Sequence, residues 1–270
     1  MGNKFVALQG GRTNQVWKFG NGSENKVLKL YRPVDTNPLF DNNPRSETIC
    51  LTALEGTGLA PRLVNHGSHP LGRWIIYEHV NGSAWGHDPV PVAEILARVH
   101  RQTSLTGLHI GASGSAEIEC QTLEILSHCL PANRDRITKN RPNWHVSPMA
   151  HLCLIHGDPV PGNIVLTDKN PVLIDWQCPK TGDPAEDIAL FLSPAMQKLY
   201  RGSPLTQAEE QLFLAAYPDP SITQRYQSLK AWYHWRMAAY CLWRLDQGDY
   251  DYAVGFDLEF NSLNACTAPN

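Results

Sequence analysis

The sequence predicts an α+β protein of two lobes: a small antiparallel β-sheet carrying one helix, then a larger and mainly helical lobe. Three observations predict this. Short apolar runs separated by glycine turns fill the first eighty residues; the pattern changes to helical periodicity after Asn81-Gly82-Ser83; and short β-like runs reappear within the helical part between Leu152 and Ile174. The expected division is residues 1–80 and 81–270. In the first part the runs are Lys4 to Leu8, Gln15 to Phe19, Lys26 to Tyr31, Arg62 to Asn65 and Arg73 to Glu78. One helix interrupts them from about Pro44 to Glu55, with Asn43 as its N-cap, Pro44 at its first position and Gly56 near its end. Beyond the break, helices are expected at Val92 to Gln102, Glu117 to Leu130, Asp183 to Leu192, Thr206 to Ala216 and Gln224 to Leu245. Between them lie the apolar runs Leu152 to Ile155, Ile164 to Leu166 and Val172 to Ile174.

Composition narrows the function classes. With 270 residues and 42% hydrophobic content, the chain can bury a substantial core as one compact enzyme. A net charge of -3 and the lack of any long Lys/Arg run argue against nucleic acid or an anionic membrane as partner. No apolar run reaches the length of a membrane span and no basic-then-apolar leader precedes the first strand, so the expectation is a cytoplasmic protein acting on a small molecule, as monomer or homodimer. The start Met1-Gly2-Asn3-Lys4-Phe5 fails as a myristoylation signal because Val6 stands where Ser or Thr is required. The seven cysteines are scattered without a C-x-x-C pair and read as reduced, mostly buried thiols. No internal repeat or low-complexity tract is visible.

The chemistry concentrates in His156-Gly157-Asp158-Pro159-Val160-Pro161-Gly162-Asn163, followed by Ile174-Asp175-Trp176. Phosphoryl transfer asks the protein for Mg²⁺ to neutralise the phosphates and for a carboxylate to position the attacking hydroxyl. Asp158, Asn163 and Asp175 can supply both. Asp158 and Asn163 are five apart, as in the Asp-x-x-x-x-Asn catalytic loop of kinases, and Asp175 follows an apolar strand, where a metal-binding Asp belongs. Taken singly, each could instead be an ordinary turn residue or helix cap.

These motifs resemble those of the aminoglycoside phosphotransferase and choline kinase superfamily, which includes thiamine, homoserine and methylthioribose kinases, and the likeness extends over nearly the whole chain. The resemblance implies a protein-kinase-like fold that uses ATP and Mg²⁺. It implies Asp158 as base or hydroxyl-orienting group and Asn163 and Asp175 as Mg²⁺ ligands. Gly182-Asp183-Pro184-Ala185-Glu186-Asp187 matches a further motif, in which Asp187 would hold the catalytic loop from the next helix. His156 is read as a packing and hydrogen-bonding residue of that loop. In the small lobe, Gly10-Gly11-Arg12-Thr13-Asn14 lies between two strands, where turn N–H groups can meet phosphate oxygens or simply close a hairpin. It resembles the family's Gly-Gly-x-Thr-Asn loop, which places Gly10, Gly11, Thr13 and Asn14 at the nucleotide. Lys29, in an apolar strand, could point to solvent; the resemblance makes it the phosphate-contacting lysine. A cleft lysine needs a counter-charge, and Glu47 or Glu55 on the small-lobe helix can provide it, Glu47 being the family's position. Ile76-Tyr77-Glu78-His79-Val80 would be the hinge, with Glu78, His79 and Val80 offering backbone groups to adenine.

A protein kinase would carry a long activation segment ending in Ala-Pro-Glu, yet Gly182-Asp183-Pro184 follows Asp175 within a few residues, and no P-loop motif occurs. The acceptor is therefore expected to be a small hydroxylated molecule. Two features suggest a cation such as choline, ethanolamine or thiamine. Asp246, Asp249, Asp251, Asp257 and Glu259 follow Leu245 with no Lys or Arg among them, and one helix carries Trp232, Trp235 and Trp243 on a face with Arg236, with Tyr226, Tyr233 and Tyr240 at seven-residue spacing. A solvated acidic face and a core seam are the plainer readings of both. The run from Trp243 to Asp249 is also similar to the corresponding part of thiamine and choline-kinase-like chains. The alternatives are an aminoglycoside acceptor and a catalytically inactive nucleotide-binding module.

Overall fold

In the computed structural model, which describes residues 5–8, 13–21, 24–32 and 37–268, five strands form the N-terminal sheet. They are β1 (Val6–Ala7), β2 (Gln15–Phe19), β3 (Lys26–Leu30), β4 (Leu63–His69) and β5 (Gly72–Glu78), all antiparallel in the order β1-β2-β3-β5-β4. The predicted phosphate-contacting Gly10 and Gly11 lie outside the described residues. The register decides the fate of Lys29. Val27 pairs with Tyr77 and Lys29 with Ile75, so the two-residue period turns Val27, Lys29, Ile75 and Tyr77 to one buried face, and the lysine does not reach solvent. Helix α1 (Pro44–Ala53) packs on β4 and β5. Asn43 caps it as expected, its side chain accepting from Arg45 N at 2.9 Å and Ser46 N at 3.2 Å.

The remaining elements make the larger, mainly helical part, giving the α+β, two-lobed protein-kinase-like fold that the sequence predicts. They are β6 (Ser83–Ala84), α2 (Val90–His100), β7 (His109–Ile110), α3 (Ser115–Ser127), α4 (Pro131–Ile137), β8 (Cys153–Ile155), β9 (Ile164–Leu166), β10 (Pro171–Leu173), β11 (Lys180–Gly182), α5 (Pro184–Leu192), α6 (Pro194–Arg201), α7 (Gln207–Ala216), α8 (Pro220–Asp246) and α9 (Tyr252–Ala265). Helix starts follow cap chemistry. Asp183 caps α5, Thr206 and Glu209 form a capping box on α7, and Asp219 with Pro220 starts α8 four residues before the expected Gln224. Helix α8 is 27 residues long, and its aromatic residues Tyr226, Trp232, Tyr233, Trp235 and Tyr240 are buried in the core, packed among α3, α5 and α9.

The three apolar runs around the expected loop do not form one sheet. β8 joins β11 and β7, whereas β9 and β10 make a hairpin joined by β6. The loop 156–163 crosses from the first small sheet to the second. All seven cysteines are free; Cys50, Cys129, Cys178 and Cys241 are buried and Cys120 is exposed. Among the described residues no helix is long and apolar enough to cross a membrane.

Candidate active site

The β9–β10 hairpin brings Asn163 and Asp175 together. Ile164 pairs with Leu173, and Ile174 N–H donates to the Asn163 carbonyl at 2.9 Å, so the two residues flank the open end of the hairpin. Asp158 reaches the same place through the loop after β8. Asn163 Nδ2 donates to the Asp158 carbonyl at 2.9 Å and to its Oδ2 at 3.2 Å. His156 ties both acids into one frame: its Nε2–H donates to Ile174 O at 3.0 Å, and its Nδ1 accepts Asp158 N–H at 3.2 Å. Burial keeps this imidazole below its usual pKa, the neutral form these two bonds require. Gly157 has φ +79°, and a Cβ there would strike the Cys178 carbonyl, so only glycine fits. Asp175 is the one non-glycine residue among those described with positive φ, at +64°, a conformation that costs free energy and that clusters at functional sites.

From above, Lys29 Nζ bonds to Glu47 Oε2 at 2.7 Å and to Asp175 Oδ1. Tyr31 donates its hydroxyl to the same Glu47 oxygen. Glu47, not Glu55, is thus the partner of the lysine. Burial alone would depress the Lys29 ammonium, but Asp175 and Glu47 outweigh it and hold the pKa above the ordinary value. Burial pushes Glu47 up to about 7 against the pull of Lys29. Asp158 is also raised to about 7, by burial first and then by the neighbouring Asp175 charge, with the Asn163 hydrogen bond opposing.

Lys29, Tyr77, His79, Val80, Asn163 and Asp175 line one cleft of about 400 Å³ between the sheet and the helical part, with Val16, Val27 and Ile164 as apolar walls and Tyr200 at its side. Glu78 turns its carboxylate outward to Arg62, and the N–H groups of Glu78 and His79 are engaged by Arg62 O and Asn25 O, both at 2.9 Å. Thr13 is half-buried. Asn14 does not line the cleft but spans its edge, donating to Asn42 Oδ1 at 2.7 Å and Gln177 Oε1 at 2.8 Å and accepting from Asn42 Nδ2 at 3.1 Å.

Beneath the loop, Asp187 accepts the N–H groups of His156 and Gly157, both at 2.8 Å, and the His100 Nε2–H at 3.0 Å. Sequence reasoning found Asp187 but missed His100, Asn42 and Gln177, which carry no motif of their own.

Several residues behind the two acceptor clues serve structural contacts. Asp246 accepts from Leu130 N and Asn133 Nδ2, both at 2.6 Å; Asp249 pairs with Arg244 at 2.5 Å; and Glu259 is buried against Ser193, Ala195 N and His234. Asp246, Asp249 and Glu259 thus each serve a separate contact. Trp232 and Trp235 pack edge-to-face at 6.1 Å in the core and offer no open aromatic face.

Among the described residues no group of three His, Cys, Asp or Glu side chains forms a metal cage. Residues 4–232 match the model of the phosphotransferase enzyme family. No curated protein matches the chain. Solved structures do: a choline/ethanolamine kinase family protein from Mesorhizobium loti is similar at TM-score 0.67 and 17% identity over 97% of this chain and 87% of that one. A choline kinase from Cryptosporidium parvum is similar at TM-score 0.65 and 13% identity, covering 97% and 89%. An aminoglycoside phosphotransferase in ternary complex with AMP-PNP and hygromycin B is similar at TM-score 0.62 and 15% identity, covering 98% and 95%. At these identities the likeness establishes the fold alone.

Proposed function

The chain belongs to the phosphotransferase enzyme family, and on that premise we propose that it transfers the γ-phosphate of ATP to a hydroxyl of a small molecule. The observation that carries this reading is the convergence of Lys29, Asp175 and Asn163 at one end of a cleft whose other walls are mostly apolar, with Asp158 bonded to Asn163 beside it. In this reading residues 1–80 form the nucleotide-binding lobe and residues 81–270 the catalytic and substrate lobe. The base lies between Val16, Val27 and Ile164, near the His79 and Val80 backbone, and the phosphates meet Lys29, with Glu47 fixing the position of the ammonium. The family resemblance would add Gly10, Gly11, Thr13 and Asn14 as phosphate contacts, although the Asn14 amide is already engaged by Asn42 and Gln177.

The donor set fits Mg²⁺. Asp175 supplies a carboxylate, and Asn163 donates two side-chain hydrogen bonds through Nδ2, which leaves the amide oxygen to coordinate. Mg²⁺ commonly takes one or two such oxygens and completes its shell with phosphate and water, so a full protein cage is not required. When bound it would neutralise charge on the transferred phosphoryl group. Asp158 accepts or orients the acceptor hydroxyl. A carboxyl raised to about 7 is a better proton acceptor than an ordinary aspartate and is half-ionised near neutral pH.

The test is acceptor-dependent ADP release with Mg²⁺-ATP. The panel holds choline, ethanolamine and thiamine, the cationic acceptors expected from the sequence, and kanamycin-type aminoglycosides, suggested by the other group of structural neighbours. Turnover of the first group alone identifies a metabolite kinase, and turnover of aminoglycosides alone a resistance-type kinase. Nucleotide binding without ADP release from any acceptor would leave an inactive nucleotide-binding module and overturn the proposal.

A further inference from the structure

The catalytic loop rests on a relay that begins far from the cleft. Tyr217, at the C-terminal cap of α7, places its hydroxyl 2.7 Å from His100 Nδ1, and His100, the last residue of α2, places Nε2 3.0 Å from Asp187 Oδ2. Asp187 is fully buried and accepts also from His156 N and Gly157 N. A carboxylate only accepts, so His100 Nε2 carries a proton and donates it to Asp187, while Nδ1 shares a hydrogen bond with the Tyr217 hydroxyl. The hydrogen bonds therefore form one chain, linking Tyr217 through His100 to Asp187. His100 also lines a second cleft of about 280 Å³, together with Arg101, His151, Cys153 and Tyr217.

We infer that His100 is a positioning residue for phosphoryl transfer: through Asp187 it holds the His156–Gly157 backbone and so sets the place of the Asp158 carboxylate. This rests on the phosphotransferase reading above. Without His100, Asp187 keeps its two backbone donors but loses the group that fixes its rotamer, and the loop gains freedom at the residues immediately before Asp158. Displacement of a reacting group by about an ångström lowers rate far more than it lowers nucleotide affinity. The effect is therefore expected in kcat, leaving KM for ATP in place.

The test compares His100→Ala, His100→Gln and Tyr217→Phe by steady-state kinetics and by hydrogen–deuterium exchange at the His156 and Gly157 amides. His100→Ala should lower kcat about tenfold to a hundredfold, leave KM for ATP within about twofold, and speed exchange at both amides. His100→Gln should keep most of the activity, because its Nε2 stands the same number of bonds from the backbone as the imidazole Nε2. Tyr217→Phe, which keeps the ring, should show a smaller loss in the same direction. Added imidazole should restore part of kcat to His100→Ala through the second cleft. Unchanged amide exchange, or a kcat loss that neither glutamine nor imidazole repairs, would reduce His100 to a packing residue and overturn the inference. Should His100→Ala fail to fold, His100→Gln and Tyr217→Phe decide by the same two measurements. A wild-type protein that transfers phosphate to no acceptor would instead sink the phosphotransferase reading, and amide exchange would still decide whether His100 holds the loop.

Discussion

Asp158 and Asp187 attend the same loop, the first part-buried and the second fully buried, yet they are held in opposite states. Asp158 has a single side-chain donor among the described residues, the Asn163 amide, and faces the charge of Asp175, so its carboxyl rises to about 7. Burial pushes Asp187 up as well, but the His100 and His156 donors reverse it and hold the carboxyl below its usual range. Hydrogen-bond supply outweighs depth here, since the more deeply buried acid is the one whose carboxyl is held low. A carboxylate that is saturated with N–H donors becomes structure; one left short of donors beside a like charge is kept ready to take a proton.

Replacing each acid should separate these roles. Asp158→Asn should lower turnover by about 10³-fold or more, with Mg²⁺-ATP still raising the melting temperature; a coupled ADP assay and a thermal shift measure the two. Asp187→Ala should instead cost about 3 kcal/mol of stability in a urea titration, since it strands two buried N–H groups and an imidazole. A loss below about 1 kcal/mol would show that those donors find other partners. The third measurement is the pH dependence of stability in the metal-free protein. With Asp158 raised to about 7 when folded, against about 3.9 when unfolded, the folded state holds the extra proton between those values. This group's contribution to stability thus falls as pH rises through that window. Asp158→Asn should therefore gain on wild type by about 2 kcal/mol between pH 5 and pH 8, and an equal difference at both would contradict the raised pKa. Least affected should be Arg62→Ala, which breaks the exposed pair with Glu78. A change within about 0.5 kcal/mol would confirm that pairing in water adds little.

The reactive edge of the site was legible in the sequence because its residues lie on two short motifs. The five-residue step from Asp158 to Asn163 and the strand before Asp175 state their geometry locally. The supports beneath were not legible: His100 meets Asp187 across 87 residues and Tyr217 across 117, and neither separation leaves a local pattern. The fold reads similarly. β2 appears at Gln15–Phe19 and α1 starts at its Asn43 cap, as expected. Helix α9 lies beyond the last helix the sequence predicts, and Gly255 within it weakens the helical pattern. Gly255 is instead a point of close approach, where a Cβ would stand 3.1 Å from Ala195 Cβ and 3.4 Å from Cys241 Sγ. The seven-residue tyrosine spacing on α8 recorded a packing seam, since a buried helix repeats its core contacts with the same period as a binding face.

Asn14 gives the cleft a latch. It belongs to the sheet side, and its amide is bonded to Asn42 and to Gln177, two residues beyond Asp175. Of these bonds only the one to Gln177 crosses to the helical part, so a swing of the sheet away from it would break that bond. Movement between the two sides would thereby act directly on the segment that carries Asp175.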